Sequence, residues 1–204
     1  MKRKIIAVIC ITAGLAVMSV PLFYSLYGRD RTDQLMEEIE QIIMEDSSNE
    51  GKTKTGEGET GTDEKKAASF QTGEVMGIVE IEALDLKYPI VEGAGSAELS
   101  VGIGHIPGTA GVGEMGNCVL AGHRGSRYGT YFKYLNKLQQ GDVVKLTDHE
   151  GRVYLYEVVG SEVVGPYENS VKDQGEEWEL TLLTCENSGT MRLIVKCQWK
   201  GIEE

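Results

Sequence analysis

Three side chains that together can carry out an acyl transfer stand far apart in this chain: His123, Cys185 and Arg192. Cys185 ends the apolar, β-branched run 180–184, and Arg192 opens the run 193–195 beyond the polar connection 186–190. Runs of that length and composition read as strands, with Asn187-Ser188-Gly189 as the turn between them. Such a hairpin sets a thiol and a guanidinium side by side at one rim of a sheet. A neighbouring cation favours thiolate over thiol, and thiolate is the form that attacks carbonyls. The bland alternative is a cysteine packed as a small hydrophobe beside a solvated arginine.

His123 follows a second short apolar run, 118–121, and lies between Gly122 and Gly125. Glycine allows close backbone approach and leaves the imidazole at a strand end, the same kind of position that Cys185 occupies. A base and its nucleophile are expected near each other in space and distant in sequence. His105, in Gly104-His105-Ile106-Pro107-Gly108, either lines a cleft or makes a structural hydrogen bond. His149 reads as a solvated turn residue. Cys10 lies in an N-terminal apolar run. Cys118 and Cys197 fall within strand runs as core packing, with a disulfide between them open only outside the cytoplasm. No C-x-x-C and no zinc-type Cys/His spacing occurs, so neither metal nor cofactor is expected.

The elements that must position these residues occupy part of 204 residues, enough for one ordinary domain with extensions. The net charge is -12, from 20 Lys+Arg against 32 Asp+Glu. With no basic stripe, nucleic acid is not an expected partner. Lys2, Arg3 and Lys4 precede an uncharged apolar run, residues 5–27. At about 1.5 Å per residue that run reaches roughly 35 Å, enough to span a bilayer. The basic cluster favours a cytoplasmic N-terminus, which puts the remaining chain outside the cytoplasm. A cleaved signal peptide is the rival, though the run is long for one and no tidy cleavage site follows.

Residues 32–45 carry Leu35, Ile39, Ile42 and Ile43 at helical spacing, which predicts a juxtamembrane helix, self-associating or frayed. Residues 46–69 hold no large apolar side chain and read as a flexible tether that lets the domain work at some distance from the bilayer. From about Val75 short apolar runs alternate with glycine-rich turns. Strands are expected over 77–83, 88–91, 118–121, 141–146 and 152–164, with Asp148-His149-Glu150-Gly151 as a hairpin turn. A helical turn is expected over 97–101 and a helix over 130–138, with loops over 103–116 and 166–177. This pattern predicts an all-β dominated, mostly antiparallel barrel or sandwich.

Thr181-Leu182-Leu183-Thr184-Cys185, Arg192 seven residues on, and Leu120-Ala121-Gly122-His123-Arg124 together resemble the sortases, cysteine transpeptidases of Gram-positive cell envelopes. The resemblance covers residues 77–199, and 104–125 looks most like class D. Glu186-Asn187-Ser188 stands where members near class D often carry an aromatic-proline pair. The Asp-Pro-aromatic lid of pilus-building members is missing.

The resemblance implies an eight-stranded sortase-type barrel over residues 75–204, outside the cytoplasm. Before it come a cytoplasmic tail and single-pass transmembrane anchor (1–29) and a juxtamembrane helix with linker (30–74). It implies Cys185 as nucleophile, His123 as acid and base, and Arg192 as donor to substrate or oxyanion, with Thr184 and His105 contacting substrate. The implied partners are secreted proteins with LPxTG-like sorting signals and a peptidoglycan precursor or cross-bridge amine. Some sortases bind calcium, but Glu114, Glu168 and Asp173 are expected to be solvated loop charges. Two other readings stay open: a sortase-fold scaffold without catalysis, and an L,D-type peptidoglycan transpeptidase.

Overall fold

The computed structural model describes residues 2–49, 70–125 and 129–203. Eight strands close into one barrel: β1 (Val75–Ile81), β2 (Leu86–Glu92), β3 (Ile103–His105), β4 (Gly116–Gly122), β5 (Val143–Asp148), β6 (Val153–Val164), β7 (Trp178–Glu186) and β8 (Met191–Ile202). Around the barrel the order is β1-β2-β3-β4-β7-β8-β6-β5. Alternation fills it. Val79 and Ile81, Val144 and Leu146, Tyr154, Tyr156 and Val158, Leu180 and Leu182, and Val195 and Cys197 point into a single core. Most pairings are antiparallel, but β2 with β3 and β4 with β7 run parallel.

Two loop or helix expectations fail for physical reasons. Residues 103–105, expected within a loop, form β3 between β2 and β4. Gly104 supplies the reason: a Cβ there would lie 2.4 Å from the Gly93 carbonyl oxygen, so glycine marks close backbone approach rather than a turn. Residues 130–138 hold only the 3₁₀ turn Leu135–Lys137, because Tyr131 adopts φ 41° and cannot continue a right-handed helix. The apolar spacing there was still informative, since Tyr131, Phe132 and Leu135 are core residues. The loop 166–177 is pinned, with Asn117 Nδ2 donating to the carbonyls of Val171 and Asp173.

Before the barrel runs one helix, α1 (Lys2–Asn49). Among the described residues, no helix is long and apolar enough to cross a membrane. The side chains of most of residues 5–27, where a span is expected, lie outside those described, as do residues 50–69 of the tether expected over 46–69; residues 46–49 instead continue α1. Within residues 32–45, Leu35 and Ile39 face the barrel and are buried. Thr32 Oγ1 donates to the Val101 carbonyl at 2.8 Å, and Glu40 pairs with Lys87 at 2.9 Å. The helix therefore packs on β1 and β2, where the outward-facing pair Ile78 and Pro89 is buried.

Closure of the barrel at β1–β5 depends on Gly77, where a Cβ would sit 2.1 Å from the Thr147 carbonyl oxygen. Gly77→Ala should lower stability by about 1–3 kcal/mol, the usual cost of overpacking. Urea unfolding monitored by tryptophan fluorescence checks this; an unchanged midpoint would show that the strands separate there freely.

Candidate active site

The main chain brings the distant residues together before any side chain acts. β4 and β7 pair in parallel from Gly116↔Trp178 to Gly122↔Thr184. The next residues along the chain are His123, just past the end of β4, and Cys185, still on β7, so the two stand at one level. β8 returns antiparallel to β7 and sets Arg192 directly opposite Cys185. The hairpin turn Asn187–Gly189 makes this possible with left-handed backbone at Asn187 and Ser188, φ 47° and 56°, and at Gly189. Cys185 thus has His123 on one flank and Arg192 on the other.

The side chains of Thr184 and His105, both expected to contact substrate, are engaged within the protein. The Thr184 side chain is buried, and its hydroxyl donates to the Gly122 carbonyl at 2.7 Å. With that proton committed, Thr184 acts as a strut that locks the end of β4 to the end of β7. His105 is 3% exposed, with Nδ1 2.6 Å from Glu92 Oε2 and Nε2 close to the Ala110 carbonyl and Thr109 hydroxyl. Both ring nitrogens are engaged, so the ring braces the loop after β3 and offers nothing to a ligand.

The thiols differ sharply. Cys118 and Cys197 are buried, and burial pushes both thiols up, Cys197 to about 12. They flank Leu180, one strand away on either side, so two strand spacings of roughly 4.8 Å separate them and both are free. Cys185 is half-buried and reachable. Burial also holds His123 below its ordinary imidazole value, because the charged ring loses hydration. The His123 carbonyl accepts from Phe132 N at 3.0 Å, and its ring meets Tyr131 edge-on at 6.2 Å.

Arg192 Nη1 donates to the carbonyls of Gly189 and Met191, both at 2.9 Å. That holds one terminal nitrogen of the guanidinium, and among the described residues Nε and Nη2 make no hydrogen bond. Reading the sequence missed Arg124 and Glu186. They form an ion pair across the rim, and Arg124 Nη1 also lies 3.4 Å from the Cys185 carbonyl. The signal was available: each follows a residue singled out for chemistry, with opposite charge. Among the described residues no group of His, Cys, Asp and Glu could hold a metal ion. Glu114 caps Gly111 N, and Glu168 accepts from Ser170.

Comparison with known proteins agrees with this arrangement. The sortase domain family model matches residues 79–200. The chain is 32% identical over 187 residues to Sortase D of Bacillus subtilis (strain 168), covering 90% of this chain and 89% of that protein. It is 26% identical over 183 residues to Sortase A of Bacillus anthracis, covering 89% and 86%. Among solved structures, the Sortase D5 transpeptidase of Clostridium perfringens superposes with TM-score 0.64 at 27% identity, over 84% of this chain and 97% of that one. Sortase E of Streptomyces avermitilis gives 0.60 at 34% identity, over 66% and 93%. The likeness to two Sortase D proteins is the class D likeness already carried by residues 104–125. With a reachable cysteine between a histidine and an arginine at one barrel rim, and relatives that span nearly the whole chain, the chain belongs to the sortase family and is a cysteine transpeptidase.

Proposed function

We propose that this transpeptidase is held in the cell membrane by residues 5–27, with its barrel outside the cytoplasm. There it cuts an LPxTG-like C-terminal sorting signal and joins the secreted protein to a cell-wall amine. The observation that carries the assignment of residues is the register: Gly122 beside Thr184, and Cys185 opposite Arg192.

In this reading the Cys185 thiol gives its proton to His123 as sulfur attacks the threonine carbonyl carbon. A neutral imidazole, favoured by burial, is the form able to accept it. The oxyanion of the tetrahedral intermediate takes hydrogen bonds from Nε and Nη2 of Arg192, whose planar fork presents several donors to one oxygen. The carbon–nitrogen bond then breaks, His123 protonates the departing amine, and a thioester remains on Cys185. A peptidoglycan precursor or cross-bridge amine attacks that thioester, passes a proton to His123 and displaces the sulfur. Splitting one amide exchange into two thioester steps lowers each barrier.

Cys185→Ala should abolish both cleavage of an LPxTG peptide and transfer to an added amine, read by mass spectrometry of the products; surviving turnover would remove the nucleophile. Arg192→Lys should lower kcat/KM by roughly 10²–10³-fold, since one ammonium cannot reproduce the guanidinium fork. Near-normal kcat/KM would reduce Arg192 to a support for the hairpin turn. His123 titrates below an unstructured histidine because burial disfavours its charge, so its NMR midpoint should lie under about 6.5. A midpoint at or above that value would place a stabilising anion beside the ring and contradict the neutral resting base.

A further inference from the structure

α1 continues as one helix to Asn49, well past the end of its apolar run at Tyr27. Thr32 comes five residues after Tyr27, a rise of roughly 8 Å at about 1.5 Å per residue. There the helix is already fixed to the barrel by the Thr32 hydroxyl on the Val101 carbonyl, 2.8 Å. Leu35 (4% exposed), Ile39 (0%) and the Glu40–Lys87 pair at 2.9 Å follow on the same helical face. A helix attached at four points over about two turns cannot swing as a tether would.

The strand register locates that attachment. β3 pairs with β4 as Gly104↔Ala121 and His105↔Leu120, so the same register continued puts Val101 level with Arg124 and Gly102 level with His123. β2 pairs with β3 as Ile90↔Ile103, which puts Val101 level with Tyr88, next to Lys87. Followed back toward its N-terminus, α1 therefore crosses from β2 toward β3 at one level, and its contact at Val101 lies level with the rim that carries His123. A second contact joins the two places: Tyr131 Oη donates to the Ser100 carbonyl at 2.7 Å, while the Tyr131 ring lies against His123.

We propose that α1 is a rigid strut that holds the His123–Cys185 rim of the barrel against the surface of a lipid bilayer. This deepens the functional reading above and rests on residues 5–27 spanning the membrane. Residues 50–69 then join Asn49 to Phe70 without setting the height of the barrel. A sorting signal that is itself held at the membrane presents its scissile bond at the same level as the rim.

The test uses the full chain with Cys10→Ser and a maleimide donor dye on Cys185, since Cys118 and Cys197 are buried. The protein is placed in phosphatidylcholine/phosphatidylglycerol vesicles that carry an acceptor dye on their headgroups. Two variants are compared with it. One has twenty Gly/Ser residues inserted between Asp30 and Arg31, a reach of about 25 Å that leaves every barrel contact in place. The other is Leu35→Asp with Ile39→Asp, checked for folding by circular dichroism. Strong energy transfer in the parent, falling by about a third or more in the insertion variant, is the expected result. Weak transfer in the parent, or equal transfer in parent and insertion variant, overturns the strut even if the double aspartate variant does not fold. Flotation on a density gradient is read separately. Protein that stays out of the vesicle fraction refutes the anchor, whereas protein that floats with unchanged transfer refutes the strut alone.

Discussion

The parallel pairing of β4 with β7 is the constraint on which the site depends. Main-chain hydrogen bonds fix the register from Gly116↔Trp178 to Gly122↔Thr184, and the Thr184 hydroxyl adds one more bond at the end where the strands part. A slip of one residue would turn Cys185 to the other face and reverse every inward side chain of β7. Burial opposes any such slip, because all seven residues of β4 are buried and Leu180 and Leu182 fill the core. Leaving the Gly122 carbonyl without its partner would cost about 1–3 kcal/mol. The position of the thiol relative to the imidazole is thus a property of the barrel, and the loops around it have only to leave it open.

Electrostatics then divides the labour among groups the barrel has already placed. Burial makes Cys118 and Cys197 poor nucleophiles, while Cys185 sits at a half-open rim. The same partial burial favours the neutral form of His123, and Arg192 supplies a guanidinium fork on the other flank of Cys185. Arg124 and Glu186 join the residues next to His123 and Cys185 by an ion pair, which ties the two strand ends on the solvent side as Thr184 ties them on the buried side.

The β7–β8 hairpin was legible from residues alone, because apolar runs on either side of Asn-Ser-Gly allow few other structures. His123 was legible from its glycines and its place after a short strand. The closed eight-stranded barrel came from the resemblance, since strand periodicity does not specify which strands neighbour each other. What was misread shares one cause: tertiary contact overrode local composition. Gly104 looked like a loop residue and is a strand residue at a close approach. Residues 130–138 had helical spacing that Tyr131 breaks with a left-handed backbone. The face of Leu35 and Ile39 looked free and is covered by the barrel. The Thr184 hydroxyl and the His105 ring, which could have reached a ligand, bond to Gly122 and Glu92 instead. A sequence shows which groups can donate or accept, and not which partner reaches them first.

The central claim is that the fold delivers one sulfur, and no other, to the carbonyl of a bound sorting signal. Intact-mass and peptide-mapping spectrometry of the enzyme, quenched in acid during turnover of an LPxTG peptide, tests it most directly. The account predicts an acyl adduct with the mass of the N-terminal peptide fragment, located on Cys185 and discharged by an added amine. Turnover with no such adduct, or an adduct mapped to Cys118, Cys197 or any other residue, would contradict it.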